Sequence, residues 1–169
     1  YLITDPHLVP PENDNHFKEQ IWRLPETRWC FTPPNIKINT SKLPGLNNGY
    51  ITFGCFNNLT KINDNVIFLW AKILRSIPKS QLFLKSKQLS EQTIQDSLLQ
   101  KFVEYGINPE RIMLEGYSSY KNYLAAYHKV DICLDPFPFT GGTTSIEGLW
   151  MGVPVLSLCG KNFVSRQGV

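Results

Sequence analysis

The sequence predicts an α/β fold in which helices cover both faces of a parallel β-sheet. From Gly49 onward, short apolar runs alternate with amphipathic segments of helical spacing, and glycines, prolines and capping residues separate them. This alternation is typical of β-α-β units, whose crossover connections make successive strands parallel. A chain of 169 residues suits one domain and can bury a substantial core.

Residues 1–48 are predicted to be largely irregular, because prolines interrupt any periodic pattern. Residues 1–4 are strand-like, and a short helix is predicted around residues 15–22, beginning near Pro11. Residues 35–48 are predicted to be a linker into the regular unit.

The regular unit, residues 49–169, is predicted to begin and end with a strand. The predicted strands are 50–56, 81–85, 111–114, 131–134 and 153–158, and the predicted helices are 64–76, 90–105, 119–128 and 143–151.

Residues at the predicted helix ends support these bounds. Asp64 or Asn65 can cap the first helix, and Ser90 can cap the second. Gly106 is suited to the position just past the end of the second helix.

Composition excludes several classes of protein. The net charge is +3 with no long basic run, so no nucleic-acid partner is predicted. No apolar run approaches the ~20 residues that span a membrane. The four cysteines form no C-x-x-C pair and suggest neither a disulfide framework nor a zinc site. No signal peptide is visible, so a cytoplasmic protein is expected.

The loop after residue 134 combines the features of a phosphate site. Gly141 and Gly142 allow an anion to approach the backbone, and Thr143 and Thr144 then open a helix whose first N–H groups are free. Glu147, one turn further, could accept hydrogen bonds from ribose hydroxyls. The sequence therefore favours a nucleoside diphosphate site, although the same residues could form a loop with an ordinary threonine cap.

Two other loops should lie at the same edge, because ligands bind outside the carboxyl ends of parallel strands. After residue 56, Asn58 could contact a base or phosphate and Lys61 could neutralise a diphosphate. After residue 114, Ser118 or Ser119 can cap the next helix, and Tyr117 or Tyr120 could flank a base. The alternatives are a polar turn with a solvated lysine and a capped helix with surface tyrosines.

Four motifs together resemble the C-terminal catalytic region of the protein O-GlcNAc transferase family, including its bacterial TPR-linked and SPINDLY-like members. The motifs are Phe-Asn-Asn-Leu-Thr-Lys-Ile at 56–62, Leu-Asp-Pro-Phe-Pro-Phe-Thr-Gly-Gly-Thr-Thr at 134–144, Leu-Trp-Met-Gly-Val-Pro-Val at 149–155 and Ser-Arg at 165–166. The resemblance covers nearly the whole chain.

This resemblance implies a GT-B enzyme with two Rossmann-like halves, usually preceded by TPR repeats. Residues 1–48 would be the end of the first half and a linker. Residues 49–169 would be the nucleotide-sugar-binding half, truncated at its C-terminus. We therefore expect the chain to be a fragment that binds nucleotide weakly and turns over little alone.

The resemblance also assigns roles to residues. It implies that Lys61 contacts the diphosphate, that Thr143 and Thr144 bind phosphate, and that Glu147 binds the ribose. Asn58 takes the place of a nucleotide-contacting glutamine.

Further positions concern the base and the sugar. The backbone near Ser118 would meet the base. Gly142 and Tyr120 stand where animal members have histidine and lysine, and bacterial-type members share the Gly-Gly form.

The implied reaction is a metal-independent, inverting transfer of GlcNAc from UDP-GlcNAc to Ser/Thr of proteins, without a cofactor. The general base is expected outside this chain. The alternatives are a donor such as GDP-fucose, a non-protein or asparagine acceptor, and a non-catalytic interaction module.

Overall fold

Seven β-strands and five α-helices form in this chain, and the computed structural model describes all of residues 1–169. The strands are β1 Leu2–Thr4, β2 Ile21–Arg23, β3 Thr52–Cys55, β4 Gln81–Lys85, β5 Ile112–Glu115, β6 Ile132–Leu134 and β7 Val155–Leu156. The helices are α1 Pro44–Asn48, α2 Asp64–Ser76, α3 Gln92–Glu104, α4 Tyr120–Ala126 and α5 Thr143–Trp150.

The main sheet has five strands in the order β5-β4-β3-β6-β7, and every neighbouring pair is parallel. The strand order reverses direction at β3, since β4 and β5 extend to one side of it and β6 and β7 to the other. The predicted parallel sheet is therefore confirmed, and each predicted strand and helix bound in residues 49–169 agrees within two residues.

Helices pack on both faces of this sheet, as predicted. Along β4, Leu82 and Leu84 enter the apolar cluster that includes Trp70 of α2 and Phe102 of α3. Phe83 points the other way, into the cluster that includes Leu124 of α4. The alternation of side chains along a strand thus supplies both halves of the core.

The prediction of a helix around residues 15–22 is wrong. The structure has a 3₁₀ turn at Pro11–His16, and the chain then becomes extended in β2. The backbone of β2 pairs in parallel with that of β1, from Leu2 opposite Ile21 to Thr4 opposite Arg23. The backbone N–H and C=O groups of β2 are hydrogen-bonded to a distant segment rather than within a helix. Local periodicity cannot reveal such pairing.

Two other local predictions need correction. The predicted linker 35–48 contains α1, whose Gly45 N–H donates to the buried Asp131 carboxylate at 2.7 Å. Asn63, rather than Asp64 or Asn65, caps α2 by accepting a hydrogen bond from the Val66 N–H.

The second helix also starts differently from the prediction. Ser90 does not cap α3; its hydroxyl accepts a hydrogen bond from the Tyr117 N–H at 2.9 Å. Gly106 does lie just past the end of α3 with φ of 75°, as predicted.

None of the helices has the length and apolar character that crossing a membrane would require.

The N-terminal segment is organised around Asp5, which is 3% exposed. Its carboxylate accepts hydrogen bonds from the N–H groups of His7, Leu8 and Arg28. Burial opposes ionisation, but these three hydrogen bonds together hold the pKa of Asp5 below its usual value. The Arg28 guanidinium in turn donates to Gln167 Oε1 at 2.7 Å.

We predict that Asp5→Asn lowers the free energy of unfolding by about 1–3 kcal/mol at pH 7, because buried N–H groups lose an acceptor. Because the pKa of Asp5 is lowered in the folded chain, its carboxylate stabilises the fold at pH values above its unfolded pKa. This contribution is lost as the pH falls through the folded pKa. The difference in unfolding free energy between wild type and Asp5→Asn, measured by urea unfolding, should therefore be smaller at pH 3 than at pH 7. Asp14→Asn, at an exposed ion pair with Arg23, is the matched control and should change little. Equal midpoints for wild type and Asp5→Asn at pH 7 would contradict the prediction.

Candidate functional site

A cleft of about 480 Å³ lies at the carboxyl edge of the main sheet. The loops that follow β3, β4 and β5 line it together with α4 and α5. We call it the carboxyl-edge cleft; its lining includes Asn58, Gln88, Ser118, Tyr120 and Glu147. The structure therefore brings together residues of two predicted loops, those after residues 56 and 114, and Glu147 of α5. Lys61 and the glycines and threonines at 141–144 are not among the residues that line this cleft.

Lys61 ends a 3₁₀ turn that follows β3, and its side chain is fixed by three contacts. The ammonium donates to Asn57 Oδ1 at 3.2 Å and to the Thr140 carbonyl at 3.0 Å, and it lies 4.0 Å from the centroid of the Phe139 ring. Burial lowers the pKa of Lys61, and the negative charge of Asp135 offsets part of that effect. Because an ammonium has three donors, one remains for an anion.

The first turn of α5 lies next to Lys61. Gly142 occupies the position before the helix, and no side chain caps it. The alternative in which a threonine caps this helix is therefore not adopted. The Thr144 hydroxyl instead donates to Asn57 Oδ1 at 3.2 Å, and Thr143 is exposed. The uncapped N–H groups and the helix dipole favour an anion here.

Gly141 is required by close packing at this turn. A Cβ atom on Gly141 would lie 2.5 Å from Asp135 Oδ1 and 2.9 Å from Thr144 Oγ1. Those two side chains belong to a polar network, so a larger residue would displace it. Gly142 is likewise close to another side chain, since its Cβ would lie 2.8 Å from the Trp29 ring.

Glu147 is 7% exposed, and its carboxylate is held by two tyrosines of α4. The Tyr120 hydroxyl donates to Oε1 and the Tyr123 hydroxyl to Oε2, each at 2.9 Å. Burial, and then the hydrogen bond to Glu147, raises the pKa of Tyr120 to about 12, so its hydroxyl stays protonated. Each carboxylate oxygen has a second lone pair, which can accept a hydrogen bond from a ligand.

Asn58 and Ser118 lie at the rim of the carboxyl-edge cleft. Asn58 Oδ1 accepts hydrogen bonds from the Thr60 N–H at 3.0 Å and from Gln88 Nε2 at 2.5 Å. Asn58 thus forms the turn, as one interpretation predicts, and also lines the cleft. Ser118 lies in the loop after β5, which Gly116 allows to pack against Ser90.

Sequence reasoning gave no role to three residues of this site. Asn57 is buried between Lys61 and α5. The Asp135 carboxylate accepts a hydrogen bond from the Ser145 hydroxyl at 3.2 Å. Burial raises the pKa of Asp135. The only available signal for Tyr123 was its three-residue spacing from Tyr120, which places both on one face of a helix.

A larger cleft of about 580 Å³ lies between α2 and the carboxyl ends of β6 and β7, and Asp135 is among its lining residues. Most of its lining is hydrophobic, including Val66, Trp70, Leu156 and Leu158. It lacks the converging polar donors of the carboxyl-edge cleft, so we do not assign ligand chemistry to it.

The parallel sheet and the cleft at its carboxyl edge define the Rossmann-like part of a GT-B glycosyltransferase catalytic region. The chain superimposes on an O-GlcNAc transferase mutant of Thermobaculum terrenum with a TM-score of 0.89 and 35% sequence identity. The match covers 99% of this chain and 31% of that one.

The sequence profile of glycosyl transferase family 41 matches residues 27–169, and the chain belongs to that family. The predicted family and fold are thus confirmed.

Curated relatives extend this likeness. A probable UDP-N-acetylglucosamine--peptide N-acetylglucosaminyltransferase SPINDLY from Oryza sativa is 38% identical over 170 residues, which cover 100% of this chain and 18% of that protein. A UDP-N-acetylglucosamine--peptide N-acetylglucosaminyltransferase of Caenorhabditis elegans is 31% identical over 134 residues, 79% of this chain and 11% of that protein. The chain therefore spans less than a fifth of the length of these two relatives.

We predict that Tyr123→Phe weakens the binding of a nucleoside diphosphate about three- to tenfold, because the Glu147 carboxylate loses one of the two donors that orient it. Binding of inorganic pyrophosphate, which has no ribose, should not change. Calorimetric titration of the full-length protein with UDP, GDP and pyrophosphate measures both effects. Tyr105→Phe, at the end of α3, is the matched control. An equal loss for pyrophosphate would contradict the role given to Glu147.

Proposed function

We propose that the full-length protein is a glycosyltransferase that transfers a sugar from a nucleotide sugar to Ser/Thr hydroxyls of proteins. The observation that carries this proposal is that Lys61 and Thr144, in the first turn of α5, donate hydrogen bonds to the same atom, Asn57 Oδ1. A cationic donor and an uncapped helix terminus on one edge suit a diphosphate group. The names of the family relatives support UDP-GlcNAc as the donor and peptide as the acceptor.

The residues of this chain act on the leaving group. The acceptor oxygen forms a bond to the anomeric carbon while the bond from that carbon to the diphosphate oxygen breaks. The nucleoside diphosphate leaves with the electron pair, and the hydroxyl proton passes to a base that lies outside these residues. Lys61 and the N–H groups of α5 stabilise the negative charge that develops on the diphosphate.

The proposal has two finer features. The resemblance to the O-GlcNAc transferase family supports a single displacement in which the acceptor attacks from the side opposite the diphosphate, so that the configuration of the sugar inverts. Lys61 and the dipole of α5 supply positive charge to the leaving group, so we propose that transfer needs neither a metal ion nor a cofactor. We also propose TPR repeats upstream and a cytoplasmic location.

The site residues take the following roles in this proposal. Thr143 and the backbone N–H of Thr144 bind phosphate beside Gly141 and Gly142, since the Thr144 hydroxyl donates to Asn57. Glu147 binds the ribose. Asn58, Ser118 and Tyr120 line the base and ribose end of the carboxyl-edge cleft. A donor such as GDP-fucose is the second candidate, since these last residues decide which base fits.

Calorimetry in EDTA with UDP, GDP, UDP-GlcNAc and GDP-fucose tests the donor. Binding of one nucleotide, weakened by Lys61→Ala and by Thr143→Ala, is the expected result. If the full-length protein binds none of the four, the alternative of a non-catalytic interaction module is favoured instead.

We predict that Lys61→Ala in the full-length protein lowers kcat/KM about 100-fold, the typical effect of removing one preorganised donor from a developing negative charge. Transfer of radiolabelled sugar to a protein acceptor measures the change. Lys79→Ala is the matched control, because Lys79 precedes β4 at the opposite edge of the sheet and is exposed. Normal activity of Lys61→Ala would remove Lys61 from the mechanism.

The lowered pKa of Lys61 also predicts a pH dependence. Lys61 attracts the diphosphate only while protonated, so affinity should begin to fall at a pH below the 10.5 of an ordinary lysine. Lys61→Arg should abolish this basic limb, because a guanidinium keeps its charge. Titrations between pH 7 and pH 10 test the difference, and identical basic limbs in both proteins would contradict it.

A further inference from the structure

We propose that Asn57 is a positioning residue that couples the Lys61 ammonium to the first turn of α5, with the Asp135 side chain fixing the orientation of its amide. This inference rests on the proposed function, since it concerns how the diphosphate-binding groups are held. It assigns Asn57 no contact with the substrate.

The buried location of Asn57 requires both polar groups of its side chain to be hydrogen-bonded. It lies two residues after β3 and is 4% exposed. A buried amide that lacks a partner costs free energy, so its oxygen and nitrogen must both be satisfied inside the protein. Its neighbour Asn58 is exposed and hydrogen-bonds within its own turn instead.

One atom of Asn57 joins two separate elements of the site. Its Oδ1 accepts from Lys61 Nζ, on the 3₁₀ turn after β3, and from Thr144 Oγ1, in the first turn of α5, each at 3.2 Å. The two groups proposed to bind the diphosphate are therefore placed relative to each other by a residue that neither is adjacent to in sequence.

The orientation of the amide is also determined. Its Nδ2 donates to Asp135 Oδ1 at 3.5 Å. Turning the amide over would place Nδ2 against the Lys61 ammonium, which has no acceptor. Asp135 presents an acceptor oxygen to Nδ2 and is itself held by the Ser145 hydroxyl, 3.2 Å from each of its oxygens. Side chains from the ends of β3 and β6 and the start of α5 thus form one closed network.

This network explains how a flexible lysine can act as a preorganised donor. A lysine side chain has four rotatable bonds and loses considerable rotamer freedom when it is fixed. The Asn57 acceptor, the Thr140 carbonyl and the Phe139 ring fix it before any ligand arrives. Loss of Asn57 would leave the charge present but no longer directed at the diphosphate, so ligand binding would have to order it.

A double-mutant cycle on the full-length protein tests the inference, with wild type, N57A, K61A and N57A/K61A compared by kcat/KM for the donor. We expect Asn57→Ala to lower kcat/KM about tenfold in wild type, the loss of about one hydrogen bond. In the Lys61→Ala background we expect less than about a twofold further loss, because residues that act together are not additive. Equal losses in both backgrounds would overturn the inference and leave the proposed function intact.

Controls separate positioning from other effects. Tyr120→Phe, which removes the hydroxyl that donates to Glu147 Oε1, should combine with Lys61→Ala by simple multiplication. Thermal unfolding of each variant identifies misfolding, and Asn57→Ser replaces the alanine variant in the cycle if that variant unfolds. If Lys61→Ala alone has no effect on nucleotide binding or on transfer, the role of Lys61 in the proposed function fails, and the inference fails with it.

Discussion

The parallel pairing of the main sheet is the constraint on which the rest of the structure depends. Because every strand runs in the same direction, the chain must return across the sheet after each one, and all five carboxyl ends meet at one edge. Polar residues that are far apart in sequence, such as Lys61 and Thr144, become neighbours there. The sheet order reverses at β3, so loops diverge around that strand and leave room for a ligand.

Hydrogen bonding then gives this edge its chemistry. Two carboxylates at this edge have different partners: Asp135 faces Asn57 and Ser145, while Glu147 faces two tyrosine hydroxyls. In the proposed function, the first supports the groups that bind the diphosphate, and the second binds the ribose. One short helix, α5, carries contacts to both, so its position links the two ends of the proposed nucleotide site.

Sequence patterns predicted the main sheet and its helices well, because apolar residues at strand and helix spacing record burial directly. They failed for β2, whose extended form depends on pairing with β1 rather than on its own residues. They gave no role in the site to Asn57, since a buried asparagine looks like a turn asparagine in the sequence. Tyr123 and Asp135 escaped for a similar reason: their roles come from partners 24 and 10 residues away. The loop motifs lie at the carboxyl edge of the sheet, as predicted, while the contacts between the loops could be seen only in the fold.

The docking of residues 1–30 has a consequence for the integrity of the chain. The guanidinium of Arg166 donates to the His7 carbonyl at 2.6 Å, and that of Arg28 donates to Gln167, so the beginning and the end of the chain hold each other. The connecting stretch near residues 32–42 has no regular structure and is largely exposed. A proteolytic nick there would leave two pieces that remain associated through these contacts. The intact chain keeps the two pieces at a high effective concentration. Once separated, they would associate only as far as their concentrations in solution allow.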